Sequence, residues 1–128
     1  MAEPDVMRRA TKQASEARGR QAEAAAEAAL AQDGFATLAR RVRTGAGEID
    51  LVMERAGLLV FVEVKARATL TDAAFALGPR QQARLMAAAE AWMAANPGHG
   101  AAGVRFDVLL VDGKGRVRRI ADAFRAMG

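Results

Sequence analysis

Apolar side chains alternate with polar ones through much of residues 35–67 and again over 104–111, whereas over 15–32 and 80–96 they recur every three or four residues. The first rhythm predicts strands and the second helices. Residues 47–67 carry the clearest strand pattern. Ile49, Leu51 and Met53 alternate on one arm and Val60, Val62 and Val64 on the other, with Ala56-Gly57 as a two-residue turn. Residues 35–43 predict a strand before this hairpin, and residues 104–111 one after it. The Asp112-Gly113 pair predicts a second turn, followed by an edge strand over 116–120 guarded by Arg116, Arg118 and Arg119.

The helical segments are rich in strong helix formers. Residues 15–32 place Ala22, Ala26, Ala29 and Leu30 on one stripe, with Glu23 at its border and Gly34 as a stop. Residues 1–14 lack such a face and read as a flexible arm, and 15–128 as one domain. Pro79 opens a helix over 80–96, buried through Leu85, Ala89 and Trp92, with Gln81 one turn before Leu85. Residues 68–79 form a long connection able to contact substrate, and 121–126 a short closing helix with Phe124 packed back. The fold class expected is α/β, a central mixed five-stranded sheet flanked by helices in the order αβββαββ.

With Ala56-Gly57 at the turn centre, partners across the hairpin sum to 113. Asp50 then faces Glu63, Leu51 faces Val62, and Glu48 faces Lys65, with all four charges on the Phe61 face. Two like charges about 4 Å apart repel by roughly 4 kcal/mol at an effective dielectric near 20, so a cation belongs between Asp50 and Glu63. Lys65 neutralises part of that charge. A divalent ion does more, and hard oxygen donors without His or Cys favour Mg2+ or Mn2+. Such a set suits metal-assisted phosphodiester hydrolysis. The same residues also read as cross-strand ion pairs on an exposed hairpin.

Composition narrows the chemistry. The 128 residues contain no cysteine, a single histidine and no tyrosine, and the only serine is Ser15. Thiolate, tyrosine and Ser-His-Asp catalysis therefore lack parts. No apolar run approaches the roughly 20 residues that span a bilayer, and a cytoplasmic protein without membrane contact is expected. The formal charge is +4 from 19 basic and 15 acidic residues; setting aside Glu23, Glu48, Asp50 and Glu63 leaves a scaffold of +8. That favours a polyanionic partner. Arg40, Arg41 and Arg43 before the hairpin, and Arg118 near the end, are candidate phosphate contacts, or else surface charges on edge strands.

These pieces resemble the YraN family of small bacterial proteins, within the PD-(D/E)XK nucleases and related in fold to archaeal Holliday junction resolvases. The matching residues are Gly19 with Glu23, the run Gly47-Glu48-Ile49-Asp50-Leu51, the run from Val60 to Lys65 with Arg67, Arg80-Gln81, and Arg105-Phe106-Asp107-Val108. Arg80 stands where the family usually has lysine, and Ala22 where it usually has glycine. The resemblance implies a restriction-endonuclease-like core. Asp50 and Glu63 would be metal ligands with the Val64 carbonyl as a third and Glu48 beside them, Lys65 the catalytic lysine, Glu23 an accessory acid and Gln81 a polar residue lining the site. Arg67 and Arg80 join the candidate DNA contacts. The activity implied is Mg2+-dependent cleavage of DNA, with branched or recombining DNA among the substrates and a homodimer suited to two symmetric cuts. Two other readings share the sequence: a nucleic-acid-binding module with little or no cleavage, and a structural or protein-interaction domain whose basic surface is merely solvated.

Overall fold

The computed structural model describes residues 4–70 and 77–125. Its elements run α1 (Pro4–Gln32), β1 (Ala36–Thr44), β2 (Gly47–Arg55), β3 (Leu58–Ala66), α2 (Pro79–Ala95), β4 (Gly103–Val111) and β5 (Val117–Phe124). The order αβββαββ and the mixed five-stranded sheet are those expected. Strands lie side by side in chain order, antiparallel except for β3 and β4, which run parallel with α2 as the crossover.

Side-chain alternation sends successive residues to opposite faces of the sheet, and each face receives a helix. Leu51, Met53, Val60, Val62 and Leu109 pack under Ala22, Ala26 and Leu30 of α1. Val52, Leu59, Phe61 and Phe106 pack under Leu85, Ala88, Ala89 and Trp92 of α2. Phe61 is fully buried and meets the Trp92 ring edge-on at 5.8 Å between centroids.

Local chemistry sets the junctions. At the end of α1 the Phe35 N–H reaches the Leu30 carbonyl and the Gly34 N–H reaches Ala31, with Gly34 at φ +89, a Schellman ending. Phe35 and Leu30 share the α1-side core, so this cap also aims the chain into β1. The β2–β3 turn has φ +49 at Ala56 and +82 at Gly57, the type I′ geometry that matches strand twist.

Two expectations change. Helix α1 begins at Pro4 rather than residue 15, although every described residue from 7 to 16 is exposed; the run has good helix formers but no sheet beneath it. Residues 121–124 continue β5 instead of forming a helix. Asp122 at φ +54 donates its N–H to Asp107, the ladder shifts there, and Phe124 stacks on Phe106 at 5.0 Å. Of the long connection, Leu70 and Leu77 pack against the Val108–Leu110 cluster. Thr71 and Asp72, expected breakers in that connection, lie outside the described residues, as does Ala126.

Candidate functional site

The β2–β3 ladder keeps the register sum of 113 from Arg55–Leu58 to Leu51–Val62 and stops there. Beyond it the arms separate, and Asp50 Oδ2 accepts the Val64 N–H at 2.8 Å. Asp50 is thus held where β2 and β3 diverge. The same divergence removes the expected pairings of Asp50 with Glu63 and of Glu48 with Lys65. Lys65 instead meets Glu63 at 3.2 Å, two residues back on the same strand face, and Glu48 meets Arg43 across the β1–β2 pair at 3.5 Å.

A cleft of about 380 Å³ on the α2 side of the sheet is lined by Glu48, Asp50, Glu63 and Lys65, with Gln81 and Arg84 from α2. Gly47 makes that assembly possible. At φ +154, a Cβ there would lie 3.3 Å from the Arg84 carbonyl, so glycine lets the β1–β2 turn sit directly on α2.

A second cleft, of about 370 Å³, opens on the α1 side and also includes Glu48 and Asp50, together with Arg20, Glu23, Arg41 and Arg43. Glu23 therefore approaches Asp50 from the opposite face to Glu63. Its carboxylate is bound by Arg41 Nε at 2.8 Å. Arg41 has φ +50, and this twist lets both Arg40 and Arg41 reach α1 while Ala39 and Val42 remain on the α2 side. Arg40 binds Glu27 through two nitrogens, one at 2.7 Å.

A family described as "Uncharacterised protein family UPF0102" matches residues 22–111. The chain belongs to the UPF0102 family. It is 58% identical over 107 residues to a UPF0102 protein of Granulibacter bethesdensis, covering 84% of this chain and 68% of that protein. It is 53% identical over 108 residues to one from Rhodopseudomonas palustris strain BisB5, covering 84% and 82%, and 50% identical over 108 residues to one from Bradyrhizobium strain ORS 278, covering 84% and 77%. The YraN-like resemblance holds at the level of family. The matched UPF0102 span contains Glu23, Asp50, Glu63, Lys65, Gln81 and Arg84, but neither Arg20 nor Arg118.

Electrostatics in this UPF0102 site centre on Asp50. Burial, and then the negative charge of Glu63, push its carboxyl up to about 7, against the Val64 N–H, which favours the ionised form. Lys65 offsets part of this, and a divalent cation would offset more. Among the described residues, no group of three or more His, Cys, Asp or Glu side chains is arranged to hold a metal ion. The carboxylates of Asp50 and Glu63 remain as a two-acid donor set, and Mg2+ is commonly held by one or two carboxylates with the rest of its shell water or substrate phosphate.

The remaining basic candidates of the UPF0102 chain are spread over the surface. Arg67 donates to the adjacent Ala66 carbonyl and lines a separate pocket of about 470 Å³ with Arg18. Arg118, on the β5 edge, donates to the Leu70 carbonyl at 3.2 Å, and Arg80 is exposed in the first turn of α2. Neither lines the two clefts that meet at Asp50. Sequence reading did not assign Arg84 a role, although its spacing of three residues from Gln81 put it on a neighbouring face of the same helix. It also gave Asp107 no place of its own. That residue is fully buried, held by both nitrogens of an Arg105 fork at 2.8 Å and by the Asp122 N–H, and serves the β4–β5 bulge. No helix among the described residues is long and apolar enough to cross a membrane.

Proposed function

We propose that this protein is a cytoplasmic, metal-dependent DNA endonuclease that hydrolyses phosphodiester bonds. The reading rests on one observation: Asp50 and Glu63, from two strands that part at that point, line one cleft with Lys65. The buried acid and its like-charged neighbour fit a hard divalent ion, and Asp50 and Glu63 would hold Mg2+ or Mn2+, with the Val64 carbonyl and Glu48 as further candidate donors. When bound, the ion supplies Lewis acidity toward a phosphoryl oxygen and lowers the pKa of water.

The chain's own residues account for the rest. Lys65, within 3.2 Å of Glu63, provides a cation beside the acids where negative charge on a phosphate develops. Gln81 offers an amide for orienting a phosphate or water, and Glu23, approaching from α1 and anchored on Arg41, adds negative charge near Asp50 and fixes the position of that arginine. Branched or recombining DNA is the proposed substrate class, and a second copy of the chain would supply the second of two symmetric cuts.

The two-acid set, rather than three, favours one alternative: a nucleic-acid-binding domain that grips DNA without cutting it. Incubation with branched, linear and single-stranded DNA in Mg2+ or Mn2+ separates the readings. Cleavage that is lost in Asp50→Asn, Glu63→Gln and Lys65→Ala supports hydrolysis, and cleavage that survives all three excludes this site. Salt-sensitive binding without turnover selects the binding domain.

A further inference from the structure

The clefts on the two faces of the sheet share Glu48 and Asp50 and no other lining residue, so they meet at the start of β2 as the two arms of a groove. One arm is walled by α2 and the other by α1. Five cations line this groove alongside five acids, Glu16, Glu23, Glu48, Asp50 and Glu63, and three of the cations are already paired. Arg41 is paired with Glu23, Arg43 with Glu48 and Lys65 with Glu63. Arg84 on the α2 arm and Arg20 on the α1 arm are exposed and form no ion pair with any described residue. The groove therefore has an uncommitted guanidinium on each side of its acidic midpoint.

We infer that the groove takes a single nucleic-acid strand, whose backbone crosses the sheet end at Asp50 with one phosphate against Arg84 and another against Arg20. This deepens the nucleic-acid part of the proposed function and rests on it. The order of charge, a cation on each arm with the carboxylates between them, suits a polyanion that is held at both ends and passes the acids. Flexibility decides between one strand and two. The path swings from one face of the sheet to the other around a single strand of protein backbone, whereas duplex DNA keeps its direction over about 50 nm. A single strand follows such a turn, and so does the unpaired or crossing strand of a branched substrate.

The experiment is fluorescence anisotropy with a labelled 12-nucleotide single strand and its duplex in EDTA, so that binding is read without hydrolysis. Single-strand binding tighter than duplex binding is expected. Arg84→Gln and Arg20→Gln should each weaken it about three- to ten-fold and each lower the slope of log affinity against log salt by about 0.7. Arg125→Gln, which removes the exposed partner of Asp122 and lies in neither cleft, is the control and should change affinity less than two-fold. Equal or tighter duplex binding, or single-strand binding unaffected by Arg20→Gln and Arg84→Gln, overturns the inference. Cleavage is then assayed separately in Mg2+. Arg20- and Arg84-dependent binding with no cleavage removes the hydrolytic reading alone, while cleavage with binding indifferent to both arginines removes this inference alone.

Discussion

Asp50 Oδ2 takes the N–H of Val64, so a side chain replaces the backbone acceptor where the β2–β3 ladder ends. The carboxyl is thereby fixed between two helices, with Glu63 close enough to raise its proton affinity.

Stability should fall as pH rises through the Asp50 transition. Below about pH 4 the group is protonated both folded and unfolded. Between there and its folded value of about 7, the native state holds a proton that the unfolded chain has released, so folding is progressively disfavoured, by up to about 1.4 kcal/mol for each pH unit crossed. Asp50→Asn keeps an oxygen for the Val64 N–H and loses the titration. Urea midpoints measured from pH 4.5 to 8 should decline for the parent and stay nearly level for the variant, leaving Asp50→Asn the more stable of the two at pH 8. The carboxylate of Glu27, held low by its hydrogen bond to Arg40, acts in the opposite sense, losing its contribution only as pH drops below about 4.5.

Adding Mg2+ should reverse the Asp50 penalty. At pH 6 the ion competes with the proton on Asp50, so binding should release up to about one proton and raise the thermal midpoint, and EDTA should restore both. Calorimetry in buffers of different ionisation enthalpy measures the release. Asp50→Asn and Glu63→Gln should each abolish it; thermal stabilisation that persists in both variants would place the ion elsewhere.

Asp107 should prove structural. Asp107→Ala strands the partly buried Arg105 fork and the Asp122 N–H, a change that typically costs about 3–5 kcal/mol. Denaturant unfolding should show a loss of that size, with a smaller loss for Asp107→Asn, which keeps one acceptor. At a temperature where the variant is folded, Mg2+ binding should be unchanged.

The hairpin turn leaves room for gain. Ala56 sits at φ +49, a conformation that disfavours a residue with a Cβ, and asparagine or glycine tolerates it better. Ala56→Asn should raise stability by about 0.5–1 kcal/mol, seen as a higher urea midpoint with an unchanged slope. A lower midpoint would mean that the turn is not what holds the register.

The hairpin was legible because its register follows from a two-residue turn and a strict alternation, both local. From these came the register sum of 113 and the shared cleft of Asp50, Glu63 and Lys65. Less was legible where partners are distant or propensity misleads. Nothing near Arg40 and Arg41 reveals that they would be taken up by Glu27 and Glu23 of a helix more than ten residues earlier. The alanines at 121 and 123 read as helix, while the strand they join depends on Asp107 capturing the Asp122 N–H across the sheet. The end of pairing at Leu51–Val62, which gives Asp50 its place, depends on how β2 and β3 splay, and alternation alone carries no sign of that.

The parallel pairing of β3 with β4 also orders events in time. Its partners lie about 45 residues apart along the chain, as in Leu58 with Gly103, so closing it costs more chain entropy and should come later than the pairing of β2 and β3, which meet through two turn residues. Asp50 and Glu63 should accordingly become neighbours early in folding, while still bathed in water. Their mutual repulsion is felt in full only when the crossover helix arrives and shuts the solvent out.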